Sequence, residues 1–463
     1  MSAPEGRSDD AATDDVRCPS CDELAAENES LKARLADVEA AVEALRRAGK
    51  RQAAPFSKGN PKDEPARPGR KAGAAHGRHA HRPPPPEPDR MLDAPLPACC
   101  PHCGDGVDFE RWDEQFQTEL PEPRPLTTKF RVGVGHCRGC KRRVQGRHPE
   151  QTSDALGAAR SQVGPRARAW GTWLHYGLGL SFAKCSQVLA RFGVNVTAGA
   201  ICSSSGSTGT DLVPTHKAIK AHVSSAPAVV MDETGWRIGG EGAWLWAAAT
   251  DDATVYEVAR GRGFEAAVLL VPADYDGVIA RDGWVVYNSY DKAKHQTCTA
   301  HLLRRCHEMI EDLPASARHT PRYVKDLLLE ALDARDLDAD GRAAAAADIG
   351  ERFDLLFEQA HPHDANRRLI KHLRKERHAL FTFLTIDGVD ATNWRGEQAI
   401  RPAVVNRKVW GGNRTDRGAV TQGRLMTFLR TAHQQGVDAI EMLVELARAP
   451  SPVVVAGLVL RPG

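Results

Sequence analysis

The sequence predicts a multidomain α/β protein, with strands that deliver acidic residues, helices around them and a cysteine-rich segment before them. Three observations lead there. Short apolar stretches run into carboxylates at Met231-Asp232-Glu233 and Ala280-Arg281-Asp282, where strands are expected. A third acid, Glu397 in Asn393-Trp394-Arg395-Gly396-Glu397, stands where a helix is expected. Six of the eleven cysteines form three Cys-x2-Cys pairs, which suits metal binding or buried thiols in a chain without an export signal.

Bulk properties narrow the class. A chain of 463 residues suits roughly three domains of ~150 residues each. Hydrophobic content of 41% and charged content of 26% are ordinary for a soluble globular protein. No apolar stretch approaches the ~20 residues that a membrane span needs. Met1 to Asp15 is acidic and polar, unlike a secretory signal, so a cytoplasmic, nucleoid-associated location is expected. The net charge of +2 hides an asymmetry: Met1 to Glu43 leans acidic, whereas Arg46 to Arg90 is strongly basic. Such a pattern points to nucleic acid, although basic linkers also serve solubility.

Residues 1–48 read as a tail and a short parallel coiled coil. Leu24, Leu31, Val38 and Leu45 recur every seven residues, with Asn28, Leu35 and Val42 as the companion set. Asn at an inward position favours a dimer in one register, and a lone amphipathic helix is the alternative. Residues 49–97 are rich in Pro, Gly and Lys/Arg and cannot bury a core, so they read as an extended linker. Arg67, Arg70, Lys71, Arg78 and Arg82 there could meet phosphates, and His76, His79 and His81 read as solvated.

Residues 98–149 read as a zinc ribbon. Cys100, Cys103, Cys137 and Cys140 supply two thiolate pairs at the ends of expected hairpins, the sulfur set of one structural Zn²⁺. Cys18 and Cys21 have no second pair near them in sequence. Residues 150–222 turn helical. A helix through Phe182 and Leu189 breaks at Gly193, and a cap at Thr197 starts another near Ala198; this spacing matches a helix-turn-helix, for DNA or for simple packing.

Residues 223–312 alternate strands and helices. Strands are expected at Ala228 to Met231, Ala243 to Ala249, Thr254 to Val258 and Gly277 to Ala280, with a helix near Phe264 to Val271 and a strand–helix unit through Cys298 and His301. Strands bearing acids, followed by a helix with a third acid, describe a ribonuclease-H-like core. Residues 313–386 are a helical insertion with apolar Val324, Leu327, Leu328, Leu332, Phe353, Leu356 and Phe357. Residues 387–463 complete the core and end in closing helices at Val420 to Gln434 and Ala439 to Ala447.

Carboxylates gathered from distant segments suit a hard divalent cation, because Mg²⁺ takes oxygen ligands and leaves positions for phosphate and water. Each acid also has a plain reading: Asp232 as a strand-end cap, Asp282 as a turn former, Glu397 as a surface helix residue. Glu233, Asp274, Asp276 and Asp291 are weaker candidates. Cys298 and His301 have ligand spacing, but packing and a hydrogen bond suit two such groups better, with His301 near the active centre. Arg304, Arg305, Arg395, Arg401, Arg407 and Lys408 flank the acids; of these, Arg395, Arg401, Arg407 and Lys408 are candidate DNA contacts.

The chain resembles DDE transposases of the insertion-sequence-66 family over nearly its whole length. The resemblance rests on the heptads, the Pro-rich basic linker, the cysteine ribbon, MDETGW at 231–236, ARDGWVVYNSY at 280–290, CTAHLLRRC at 298–306 and NWRGEQAIRP at 393–402 followed by NRK. Trp394 and Gln398 depart from the family pattern, which has Asn and Arg there. The resemblance implies Asp232, Asp282 and Glu397 as the metal-binding triad, holding two Mg²⁺ ions about 3.5–4 Å apart for phosphodiester chemistry without a covalent enzyme intermediate. It also implies DNA partners (the inverted-repeat ends and target DNA) and accessory proteins of the same element. The alternative from another class is a zinc-containing DNA-binding regulator without strand-transfer activity.

Overall fold

The computed structural model describes residues 27–32, 34–35, 37–38, 85–157 and 162–461. The chain divides into two units, Met1–Arg111 and Trp112–Gly463. In the first, the described residues between 27 and 38 are helical, and Leu31, Leu35 and Val38 are exposed. Leu24, Val42 and Leu45 lie outside the described residues, as do Cys18, Cys21 and the linker basic and histidine residues. A bridge between Cys99 and Gly106 closes a turn in which Cys100 N donates to Asp105 O at 2.7 Å.

The second unit begins with a small hairpin, β1 (Val134–His136) against β2 (Arg143–Gln145). Helices α1 (Pro165–Thr172, continued by a π-turn at Trp173–Gly177), α2 (Phe182–Arg191), α3 (Ala198–Asp211) and α4 (Val213–Ser224) follow. The predicted break and cap are both present: Gly193 takes a left-handed φ of 74°, and the Thr197 hydroxyl accepts from Ala200 N. Ile201, Ser205 and Gly209 form the buried stripe of α3, and the helix carries no basic residue.

The sheet that follows has the order β5-β4-β3-β6-β7. Strands β3 (Ala228–Ile238), β4 (Glu241–Ala249) and β5 (Thr254–Ala259) form an antiparallel meander. Strands β6 (Val278–Arg281) and β7 (Lys294–Thr297) add in parallel on the far side of β3. Between β5 and β6, only Phe264–Ala267 forms a helix, α5, shorter than the apolar run suggests. Strand β3 is longer than its apolar run, continuing through Trp236 and Ile238, which pair with Ala243 and Glu241. Asp232 therefore sits in mid-strand and is not a strand-end cap.

One face of the sheet is closed by α4 and α5, with Ile219, Val223, Met231, Trp246, Val255 and Ile279 in one apolar cluster. Next come α6 (Thr299–Asp312) and the helical insertion, α7 (His319–Ala334), α8 (Ala339–Glu358), α9 (Asp364–Glu376) and α10 (Thr382–Thr385). Val324, Leu327, Leu328, Phe353, Leu356 and Phe357 of the insertion share a buried cluster with Leu302 and Cys306 of α6, and Leu332 packs partly buried against it.

Three helices complete the fold: α11 (Trp394–Trp410), α12 (Asp416–Gln434) and α13 (Ala439–Arg448). Helix α12 seals the exposed edge of β5. Thr427 and Thr431, one turn apart, accept from the N–H groups of Tyr256 (2.9 Å) and Thr254 (3.2 Å). The approach is so close that a Cβ at Gly423 would lie 2.9 Å from Tyr256 O. Hydroxyls thus satisfy an edge that would otherwise invite pairing with another chain.

Candidate active site

Two of the three acids owe their position to strand register. Strands β3 and β6 pair from Ala228–Val278 to Val230–Ala280, and Asp232 and Asp282 each stand two residues further on. Adjacent strands run ~5 Å apart, so the two carboxylates emerge side by side where that pairing ends. Asp282 Oδ1 accepts from Trp284 N at 2.9 Å, which fixes the turn after β6. Asp232 Oδ1 accepts from Glu233 N at 2.9 Å. Burial pushes the Asp232 carboxyl well above the usual range, and repulsion from Glu233 and Asp282 adds to it.

The third acid arrives through Asn393, which caps α11. Its backbone N–H donates to Cys298 Sγ at 3.1 Å and its side-chain amide to Met231 O at 3.4 Å. Asn393 O accepts from Glu397 N at 3.0 Å, so the helix start is tied both to β3 and to the β7–α6 junction. Gly396 then lies against Asp232, where a Cβ would come within 3.1 Å of Asp232 Cβ. Only a residue without a side chain allows this approach.

His301, on α6, links the parts. Its Nε2 is 3.7 Å from Glu397 Oε1, and Arg304 lies 4.0 Å from the same oxygen. Cys298 draws the His301 pKa upward, with Asp282 and Glu397 contributing, against the cost of burial. His301 Nδ1 has no well-directed hydrogen-bond partner, so Cys298 acts on it mainly by proximity. Burial alone would raise the Cys298 thiol, but His301 and the N–H groups of Asn393 and His301 outweigh it and bring it down. The two side chains are neighbours, and the hydrogen bond expected between them is not formed at His301 Nδ1.

Glu233 points to the other face of β3. It accepts from Arg262 and from Tyr287, and the Arg262 guanidinium stacks 3.8 Å over Trp284 and 4.4 Å over Trp244. This buried acid is thereby spent on positioning the turn after Asp282. Sequence reasoning missed it because Arg262 and Tyr287 lie 29 and 54 residues away.

The candidate DNA contacts divide. Arg395 pairs with Asp390 and with Asp251 (2.7 Å), and Arg407 donates to Gly235 O and, at 3.5 Å, to Thr234 Oγ1. Both therefore serve the fold. Arg401 and Lys408 are exposed on α11.

Asp232 and Asp282 stand side by side as hard-oxygen groups, and the buried Asn393 Oδ1 near them has no hydrogen-bond partner. That chemistry suits a divalent cation. Among the described residues, no three His, Cys, Asp or Glu side chains stand close enough to hold one ion, and Glu397 faces His301 and Arg304. The Cys pairs each form a tight turn. Backbone N–H groups of His102 and Cys103 lower the Cys100 pKa, and those of Cys140 and Gly139 lower that of Cys137.

The sequence pattern described as Transposase IS66 family matches residues 160–421, more than half of the chain. The protein belongs to this family of DDE transposases. A protein of Sinorhizobium fredii (strain NBRC 101917 / NGR234), described as uncharacterized protein y4qI, is 25% identical over 304 residues, covering 58% of this chain and 56% of that protein. The chain thus spans about half the length of the curated relative it matches. Among the described residues, no helix is long and apolar enough to cross a membrane.

Proposed function

We propose that this protein cleaves DNA at the inverted-repeat ends of its element and joins the freed 3′-hydroxyls to target DNA, with Asp232, Asp282 and Glu397 as the metal-binding acids. One observation carries the reading: β3 and β6 set Asp232 beside Asp282, and Gly396 brings the helix bearing Glu397 onto Asp232. The sheet order, an antiparallel meander extended by two parallel strands, supports the ribonuclease-H-like assignment of the core.

Asp232, Asp282 and Glu397 would hold Mg²⁺, two ions in the family scheme, which would stabilise charge on the phosphoryl oxygens and favour attack by water or a 3′-hydroxyl. The chain's own residues set the stage. Asn393 and Gly396 orient the third acid, His301 and Arg304 face its carboxylate, and the Glu233–Arg262–Tyr287 cluster fixes the loop after Asp282. Arg401 and Lys408 would meet DNA phosphates.

Zinc belongs to this reading on the Cys-x2-Cys spacing alone, and the lowered thiol pKa values of Cys100 and Cys137 favour in each turn the thiolate that such an ion would take. Homodimerisation through the heptads and help from accessory proteins belong to the same reading. Labelled DNA carrying an element end tests it. Wild-type protein should cut and join in Mg²⁺, while Asp232→Asn and Asp282→Asn should lose at least ~10³-fold in rate yet bind DNA within a few-fold of wild type. Strand transfer retained in either variant would overturn the assignment.

A further inference from the structure

A cavity of about 370 Å³ opens between the insertion and the start of α11, lined by Trp394, Phe383, Arg335, Arg342, Asp387 and Asp390 among others. No role assigned above uses it. Trp394 is 43% exposed, with the Arg395 guanidinium 4.9 Å from its ring. Phe383 is buried and supplies an apolar wall. Arg342 pairs with Asp387 through one terminal nitrogen, but its buried Nε has no partner. Arg335 and Asp336 stand 3.6 Å apart at the exposed rim.

We propose that this cavity receives one unpaired base of the DNA strand being processed, stacked on Trp394. The inference rests on the DNA-processing reading above and assigns a second subsite to it. The volume falls in the range of small-ligand pockets, large enough for one base and its sugar. The rim mixes donors and acceptors. A bare phosphate would find Arg335, Arg342 and Arg395 already paired with Asp336, Asp387 and Asp390, and a purely apolar ligand would leave Arg342 Nε unpaired. A base offers a π-face to the indole together with edge donors for the carboxylates and acceptors for the arginines.

A paired base inside a duplex cannot reach such a pocket, so the base must come from a single-stranded or opened stretch. Trp394 and Glu397 lie three residues apart on α11, on one helical face. The captured base therefore sits within a nucleotide or two of the phosphate at the acids. The pocket would hold the strand in register after it opens.

The test measures binding of a fluorescein-labelled 12-nucleotide single strand by the full-length protein in EDTA, with a blunt duplex and a single strand of abasic sugars as companions. Trp394→Ala should bind the single strand roughly ten-fold more weakly and the blunt duplex unchanged. Trp394→Phe, which keeps a stacking face, should stay within about three-fold of wild type. Wild type should bind the abasic strand no better than the Ala variant does. Equal binding of the intact strand by wild type and Trp394→Ala, or an equal deficit on intact and abasic strands, would overturn the proposal. Because no metal or chemistry enters the assay, its failure leaves the strand-transfer reading standing, and failure of strand transfer leaves this result interpretable.

Discussion

Gly396 packs so closely between Asn393 and Asp232 that a methyl group added to it would collide with Asn393 Oδ1 and stand 3.1 Å from the aspartate Cβ. One glycine thus sets the distance between the helix bearing the third acid and the strand bearing the first. Gly396→Ala should move the first turn of α11 outward. We expect a loss of strand transfer of at least ~10²-fold, because a shift of about 1 Å at a reacting centre has that effect. Circular dichroism should remain native, which separates misplacement from unfolding.

The buried pair of Arg281 and Glu376 predicts where the insertion matters. Arg281 and Glu376 are 0% and 2% exposed, and the pair joins β6 to α9. Thr297 Oγ1 also donates to Glu376 at 2.7 Å, and Arg281 donates to Asp282 O at 3.1 Å. Burial raises the Glu376 carboxyl, but Arg281 and Thr297 outweigh it and hold it below the ordinary value. Glu376→Ala leaves a buried guanidinium without its counter-charge, and should cost about 3–5 kcal/mol of stability by urea unfolding.

Acid should destabilise the protein through buried histidines. His175 is stacked between Phe182 (3.7 Å) and Trp410 (4.1 Å), and burial pushes its pKa down to about 4. Burial likewise takes His216 and His295 to about 4. An unfolded histidine titrates near ~6.5, so between that pH and about 4 the unfolded chain binds protons that the folded chain refuses. The stability is complete above the unfolded value and is lost as pH falls towards 4. Each histidine contributes a slope of at most about 1.4 kcal/mol per pH unit. Urea unfolding at pH 5 and pH 7 measures it, and His175→Phe should flatten the slope by one histidine's share.

Arg407 and Lys408, neighbours on α11, should respond in opposite ways. Arg407 donates to Gly235 O and has its pKa lowered by burial, so Arg407→Ala should cost about 1.5–3 kcal/mol of stability. Lys408 is exposed. Lys408→Ala should leave the unfolding temperature unchanged and lower the salt dependence of DNA binding by about one phosphate contact. Thermal melts and binding at two salt concentrations separate the two.

Local patterns in the sequence carry much of this fold. The apolar runs before Asp232 and Asp282 mark their strands, Gly193 and Thr197 mark the break between α2 and α3, and the apolar spacing of Val324, Leu327 and Leu328 marks a buried helix face. What escapes the sequence is decided by partners far along the chain. Trp236 and Ile238 extend β3 because β4 returns to pair with them. Asn393 acts through Cys298 and Met231, 95 and 162 residues away, and Arg407 through Gly235, 172 residues away. Arg395 reads as a phosphate contact until Asp251 and Asp390 are found beside it. No propensity or spacing encodes such pairings.

Asp232, Asp282 and Glu397 are proposed to act together in binding divalent metal once DNA is in place. Mn²⁺ binding to the complex of this protein with element-end DNA, followed by electron paramagnetic resonance, tests it most directly. Wild type should take up Mn²⁺, and Asp232→Asn, Asp282→Asn and Glu397→Gln should each weaken that uptake at least ten-fold while still binding the DNA. Undiminished Mn²⁺ affinity in Glu397→Gln would contradict the account.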